Sequence, residues 1–309
     1  MSLPRTEVPK KPTVLTSSLR KRIRQGRWAY LFISPFYISF AIFGLIPLVL
    51  SVWMSLTRWK GVGPMEYEGF QNFALVFKDK LFWKSILNGV YMAVLHIPIL
   101  LSLSLILAVI LSSGRVKGFR IFRTIIFLPF ITNMAAAGFT FAILFNQTSG
   151  LVNVFLTDYL HLAGVPWLEN EWWARISLTI LLIWAWLGYD MVYMLAGLQT
   201  IPHELTEAAM IDGATPAQAF FYITVPLMRP VLIFLTITST MGSFNLFTEV
   251  FALTGTGPAA ATLTPVIRIF NVAFDSFQFG YAAALGYVFF VIIFVISLVQ
   301  LRFNRERES

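Results

Sequence analysis

Apolar residues run along this chain in long blocks, and the charged positions fall between the blocks. No Asp, Glu, Lys or Arg occurs between Arg27 and Arg58, between Lys84 and Arg115, or between Arg123 and Asp158. A helix that crosses a bilayer needs about 20 mainly apolar residues, so each of these gaps holds one crossing. A fourth block runs from Arg175 to Leu198 and is interrupted by Asp190; a fifth lies between Arg229 and Leu253, and a sixth between Asp275 and Arg302. The pattern predicts an all-α, polytopic membrane protein with six transmembrane helices, at 28–57, 85–113, 122–146, 175–198, 227–253 and 277–301. Residues 1–27 read as a basic tail, whose first part, "MSLPRTEVPKKPTVLTSS", is Pro- and Ser-rich, lacks apolar periodicity and is expected to be disordered, and 303–309 as a short second tail. The first block exceeds the roughly 7–15 apolar residues of a secretory signal. Its end, "FGLIPLVLSVWMSL", has no small-x-small cleavage site, so this block is expected to stay in the membrane.

Composition agrees. Of 309 residues, 57% are hydrophobic and 12% charged, against about 25% charged in soluble domains. The chain has no cysteine, which removes disulfides and thiolate metal sites. A net charge of +8 raises the question of nucleic acid, and its distribution answers it. Sixteen of the 23 Lys and Arg fall before Trp28, in "GRVKGFRIFR", at Arg229 or in the C-terminal tail, and seven fall on the alternate side. Cytoplasmic loops carry the basic excess, so both termini and the 199–226 loop are expected in the cytoplasm, and no nucleic-acid partner is called for.

That loop is the polar exception. "ELTEAAMIDGATPAQAFFYITVPLMRP" spans 204–230. Thr200 and Pro202 read as the start of a helix reaching Asp212, with Leu205, Ala208 and Ala209 on one face and Glu204 and Glu207 on another. Gly213 reads as its left-handed terminator. Thr215 and Pro216 start a second helix, expected to be interrupted by Pro226 at the membrane surface. An amphipathic connector resting on headgroups is the plain alternative, but such helices carry Lys and Arg on their polar face. This one carries Glu204, Glu207 and Asp212 and no cation before Arg229, which favours protein docking.

These residues resemble a family. The series Glu207, Ala208, Ala209, Asp212, Gly213, Ala214, Phe220, Ile223, Pro226 and Pro230 is similar to the EAA loop of permease subunits in bacterial ATP-binding-cassette importers, with Val225 where the family more often has Leu. "YEGFQNFALVF", "RTIIFLPFIT", "GLQTIPHELTEAA", "LTGTGPAAATLTP" and "FQFGYAAALGY" extend the resemblance to the carbohydrate subgroup, specifically the maltose-type first permease, over nearly all of the chain after residue 27. The large extracytoplasmic insertion of some maltose permeases is absent.

The resemblance implies the type I importer permease fold in an inner membrane. It implies a second related permease, an ATPase dimer, an extracytoplasmic sugar-binding protein and a sugar as partners, beside membrane lipid. Glu207, Ala208, Ala209, Asp212 and Gly213 would couple to the ATPase. No cofactor is expected on this chain, ATP and Mg2+ being held by partner subunits. The chain has no Gly-Lys dipeptide and so no phosphate-cradling loop of that type, which agrees with a non-enzymatic subunit.

Candidates for the sugar pathway are the polar and aromatic groups inside spans: Trp184, Trp186, Gly188, Tyr189 and Asp190 in the fourth, and Asn245 and Glu249 in the fifth, four apart and expected on one helix face. The competing readings are tryptophans packed on lipid or helices, Asn245 bonded to another span, and Asp190 paired with an Arg of the sister subunit. His96, two residues before Pro98, reads as a packed or hydrogen-bonded histidine at a kink, and Pro129 as another kink. Other functions stay in view: the same architecture carrying a polyol such as a glycerol phosphodiester, an ion-coupled secondary transporter, or an integral membrane enzyme.

Overall fold

The structure is a computed structural model that describes residues 27–112 and 117–305. Most of the basic N-terminal tail, residues 113–116 of the connection after the second span, and residues 306–309 lie outside the described residues. Two units result, Met1–Trp53 and Met54–Ser309.

The first unit holds α1 (Arg27–Phe40), a π-helical turn (Ala41–Leu45) and most of α2 (Ile46–Ser55). The π turn ends one residue before Pro47, where Ile46 N–H bonds back to Ala41 O. Proline cannot donate the next bond of an α-helix, and one wide turn absorbs that loss without ending the helix.

The second unit begins with a two-residue antiparallel pair, β1 (Thr57–Arg58) and β2 (Glu66–Tyr67), the only strands among the described residues. α3 (Gln71–Lys78) follows, then α4 (Lys80–Ser112), which runs unbroken through Pro98. Asp79 joins the two: its Oδ1 accepts from Leu81 N at 2.9 Å and Phe82 N at 3.0 Å, so it caps α4. After α5 (Phe119–Phe127), a 3-10 turn at Leu128–Ile131 holds Pro129, and α6 (Met134–Leu144) starts at Asn133, whose side chain accepts from Ala135 N and Ala136 N. The two segments meet at 94°. Near the expected kink at Pro129 the chain thus bends sharply, with the break at Thr132–Asn133.

α7 (Leu151–Val154) leads to α8 (Glu171–Leu198), capped by Asn170 and packed along α4. α9 (His203–Ile211), α10 (Pro216–Ala219) and α11 (Val225–Leu227) form the polar loop. α12 (Arg229–Asn245), α13 (Thr248–Leu253), α14 (Pro265–Phe270) and α15 (Phe279–Arg305) complete the unit. Among the described residues four helices are long and apolar enough to cross a membrane by themselves, and up to six spans result if each of two bent pairs is one span.

Three apolar clusters hold the second unit together. One joins α4, α8 and α13 through Met92, Leu178, Leu181 and Val250, with Leu246 from the break after α12. Another packs Phe82 and Phe244 against Leu285 and Phe289 of α15. The third sets Ala108 and Leu111 against Met191, Met194, Met228 and Leu235. Burying one such side chain contributes about 1.5–3 kcal/mol relative to water. In lipid that drive is absent and close packing takes over. Gly188 shows how close: a Cβ there would strike the backbone of Ile126 and Phe127, so α5 rests directly on α8.

Candidate functional site

Two places in the second unit carry unspent chemistry. The first is the loop 199–228. Thr200, expected to cap α9, instead donates its hydroxyl to Gly197 O at 2.7 Å and closes α8; Pro202, extended at φ −60° and ψ 130°, becomes the N-cap position. At the other end Gly213 adopts φ +91°, as its position required. Gly213 N bonds to Met210 O at 3.1 Å and Ala214 N to Ala209 O at 2.9 Å, the paired bonds of a Schellman motif.

Thr215 then forms a complete capping box: Gln218 N donates to its Oγ1 at 3.3 Å, and Thr215 N donates to Gln218 Oε1 at 2.7 Å. Pro226 does not interrupt the second helix. A π turn at Phe220–Thr224 absorbs it, as happens before Pro47, and the chain bends by 64° at Met228 instead.

The outer surface of this hairpin is mixed. Glu204, Glu207 and Asp212 are exposed and form no salt bridge among the described residues. Beside them Ile211 is 85% exposed and Tyr222 79%, with Leu205 and Phe221 also open. Pro202, Thr206 and Met210 face inward, lining a groove of about 470 Å3 with Leu195, Phe119 and Phe220. Leu205 and Ala208 therefore share the outward face with the acids, while Ala209 is half-buried.

The second place is a cavity of about 350 Å3 within the helices. Its walls are His96 and Leu100 from α4; Leu182, Trp186, Tyr189 and Asp190 from α8; and Thr238, Ser239, Gly242, Ser243, Asn245, Leu246 and Glu249 from α12 and the start of α13. Here α12 ends: Leu246 (φ −57°, ψ 124°) and Phe247 (φ −130°, ψ −65°) leave the helix, and Thr264 Oγ1 donates to Leu246 O at 2.6 Å. Asn245 and Glu249 consequently do not share one helix face, since the helix breaks between them, yet both reach the cavity wall. Non-helical backbone at this depth is tolerated where it lines a cavity.

His96 bonds through Nδ1 to Met92 O at 3.0 Å and lies 3.5 Å from Ser243 Oγ. Asp190 is 2% exposed, and its Oδ2 has no hydrogen-bond partner among the described residues.

The family model described as the binding-protein-dependent transport system inner membrane component matches residues 73–308. The chain belongs to this family. Its permease relatives include the lactose transport system permease protein LacF of Rhizobium radiobacter, 34% identical over 96% of this chain and 99% of that one. The arabinooligosaccharides transport system permease protein AraP of Halalkalibacterium halodurans is 36% identical over 88% and 86%. The trehalose/maltose transport system permease protein MalF of Thermococcus litoralis is 31% identical over 96% and 99%. A chain of a bacterial ABC transporter that imports the acidic polysaccharide alginate shares the fold, with a TM-score of 0.80 at 23% identity over 93% of this chain and 98% of that one. The six-helix permease fold expected from the apolar blocks is thus the fold observed.

Within this permease, the pathway candidates separate. Trp186, Tyr189, Asp190, Asn245 and Glu249 line the cavity. Trp184 does not: it is exposed and lies 5.3 Å from the Phe141 ring. Gly188 serves the contact with α5 rather than the cavity wall. Ser243, which belongs to the same polar stretch "SFNLFTE" as Asn245 and Glu249, also lines the cavity, whereas Ser239, four residues before it, was passed over; His96, expected to be packed or hydrogen-bonded, is hydrogen-bonded and reaches the cavity wall as well.

At the end of the permease away from the hairpin, the segment 254–264 is tied down. Lys84 Nζ donates to Ala259 O at 2.6 Å, Asn88 Nδ2 to Ala260 O at 2.9 Å and Leu263 O at 3.0 Å, and Arg175 Nε to Ala261 O at 3.2 Å. The buried Arg175 guanidinium lies 4.8 Å from the Tyr91 ring and 4.9 Å from that of Trp172. A second clasp joins Arg268 Nη2 and Tyr281 Oη to Asp79 Oδ2, both at 2.8 Å. Burial pushes the Asp79 carboxyl up, but the Phe82 N–H, Arg268 and Tyr281 bonds outweigh it and hold the group below the usual carboxylate range.

Proposed function

We propose that this permease forms half of the translocation pathway of an ATP-driven sugar importer, with a second related permease as the other half. The 203–213 helix docks on an ATPase subunit dimer, and an extracytoplasmic binding protein delivers the sugar. In this reading the hairpin and both termini face the cytoplasm, where the Lys and Arg excess places them, and the spans lie near the six stretches expected from the sequence. ATP and Mg2+ stay on the ATPase subunits.

The observation that carries the docking is the outer face of α9. Three carboxylates without salt bridges stand beside an 85%-exposed Ile211, on a helix ended by a rigid glycine turn. An isolated nine-residue helix is marginal in water, and among the described residues Glu204, Glu207, Ala208 and Ile211 of this one are exposed. Such a surface fits a protein cleft with cationic rims better than anionic lipid.

For the cargo, the relatives transport lactose, arabinooligosaccharides and trehalose or maltose by name. The cavity offers what a sugar needs: aromatic faces at Trp186 and Tyr189, and polar groups at Ser239, Asn245, Asp190 and Glu249. A glycerol phosphodiester would call for Arg or Lys at the phosphate, and neither lines the cavity.

The test is uptake by the four-subunit complex in proteoliposomes, supplied with its binding protein and with lactose, trehalose, maltose and arabinooligosaccharides in turn. ATP-dependent accumulation of at least one supports the reading. Uptake that persists without ATP under an imposed ion gradient would instead favour the ion-coupled alternative, for which broken spans are equally expected.

A further inference from the structure

Asp190 is the most exposed to argument of the buried groups. It is 2% accessible, it lines the cavity, and its Oδ2 is unpartnered among the described residues. A buried carboxyl without a partner costs several kcal/mol, on the order of the penalty for any unpaired polar group out of water, and persists where something else satisfies it. Glu249 faces the same space from the first turn of α13.

The remaining lining adds no cation: its donors are the neutral N–H and O–H groups of Trp186, Tyr189, Ser239 and Asn245. The α12 helix ends at this cavity, and a helix C-terminus carries partial negative charge. Ser243 Oγ spends its proton on Ser239 O at 2.8 Å, and Asn245 Nδ2 spends one of its protons on Met241 O at 2.7 Å. Met92 O can only accept, so His96 Nδ1 carries the proton of their 3.0 Å bond. No Lys or Arg lines the cavity.

We propose that Asp190 and Glu249 make this cavity selective for uncharged, hydroxyl-rich sugars and turn back sugars that carry a carboxylate or sulfonate. The inference rests on the cavity being the sugar pathway. Sugar hydroxyls donate to the Asp190 and Glu249 carboxyls and accept from the neutral donors beside them. A carboxylate supplies only acceptors, and in a cavity of low dielectric it meets two carboxyls and a helix C-terminus at close range. The alginate importer shares this fold while importing an acidic polysaccharide, so the exclusion resides in side chains and not in the architecture.

The experiment uses the assembled permease–ATPase complex in lipid nanodiscs, without binding protein, so that the permease alone discriminates. Saturation-transfer NMR, which detects millimolar binding, compares lactose and trehalose with lactobionate, the aldonate of lactose. The wild-type complex is expected to give signals from a neutral sugar at least tenfold stronger than from lactobionate. In Asp190→Asn/Glu249→Gln, the neutral signal falls, because acceptors are lost, and the ratio drops at least tenfold as lactobionate enters. The single variants lie between.

Lactobionate binding to the wild type as well as lactose would overturn the proposal, as would an unchanged ratio in the double variant; an Arg of the sister permease neutralising Asp190 produces that second result. Absence of signal from every neutral sugar in wild type and variants alike would instead overturn the pathway reading beneath it.

Discussion

The hairpin 203–227 and the segment 254–264 are both connections between long helices of one permease, and they treat their polar groups in opposite ways. In 254–264 the chain takes a costly path: Ala259 and Ala260 adopt φ of 49° and 55°, a region that costs an L residue roughly 1–2 kcal/mol. It is held there because Lys84, Asn88 and Arg175 reach its carbonyls, and Thr264 reaches that of Leu246. Ala261, Thr262, Leu263 and Thr264 are all buried. The hairpin is unstrained by contrast, since its one left-handed residue is Gly213, and its caps are complete. Glu204, Glu207, Asp212, Ile211 and Tyr222 are nevertheless exposed, and the three acids form no salt bridge among the described residues. A connection that satisfies itself is built to stay; one that is locally rigid and outwardly unsatisfied is built to be held by another molecule.

That contrast can be broken most forcefully at the glycine turn. Gly213→Pro forces φ from +91° to about −65° and removes the N–H bonded to Met210 O, so the Schellman turn cannot form. Uptake in proteoliposomes should fall to background while the permease remains in the membrane, as immunoblotting would show; normal uptake by this variant would refute the docking role.

At the other segment, Arg175→Leu should destabilise the purified complex by about 2–4 kcal/mol, the scale of a lost charge-assisted bond with its acceptor left buried. A lowered thermal unfolding midpoint would register it, with ATPase co-purification unchanged. Loss of ATPase binding in this variant would mean that the two connections are not independent.

Glu207→Lys should weaken ATPase attachment about tenfold, near 1.4 kcal/mol, with no change in the permease's unfolding midpoint. Co-purification yields and titration of the ATPase would report it.

The smallest effect concerns pH. Asp79 has its folded-state pKa lowered, so its contribution is fully present above the unfolded value near 3.9 and is lost as pH falls through the folded value. Hydrogen exchange around 79–84 and 265–281 should therefore not change between pH 8 and pH 5, after correction for intrinsic rates, and opening should begin only below about pH 4. Opening at pH 6 would show that Arg268 and Tyr281 do not hold the carboxylate.

Much of this was legible from residue order. Charge-poor blocks set the six expected crossings, because a bilayer tolerates few charges. Gly213 and the Thr215–Pro216 pair announced the hairpin, because left-handed φ and capping are local properties of those residues. The break at Leu246–Phe247 was not legible: no proline or glycine marks it, and what holds it is Thr264, eighteen residues on. The same distance effect hid the clasps, since Asn88 and Arg175 meet loop carbonyls 172 and 86 positions away. Trp184 and Trp186, two apart, looked equivalent in sequence, yet helix geometry sets one against Phe141 and the other on the cavity.

Hydrogen–deuterium exchange on the permease pair, with and without its ATPase dimer, tests the central claim most directly. Docking predicts that amides of 203–213 slow at least tenfold when the ATPase is present, while those of 254–264 are unchanged. Equal exchange of 203–213 in the two samples, with the ATPase shown to be bound, would contradict it.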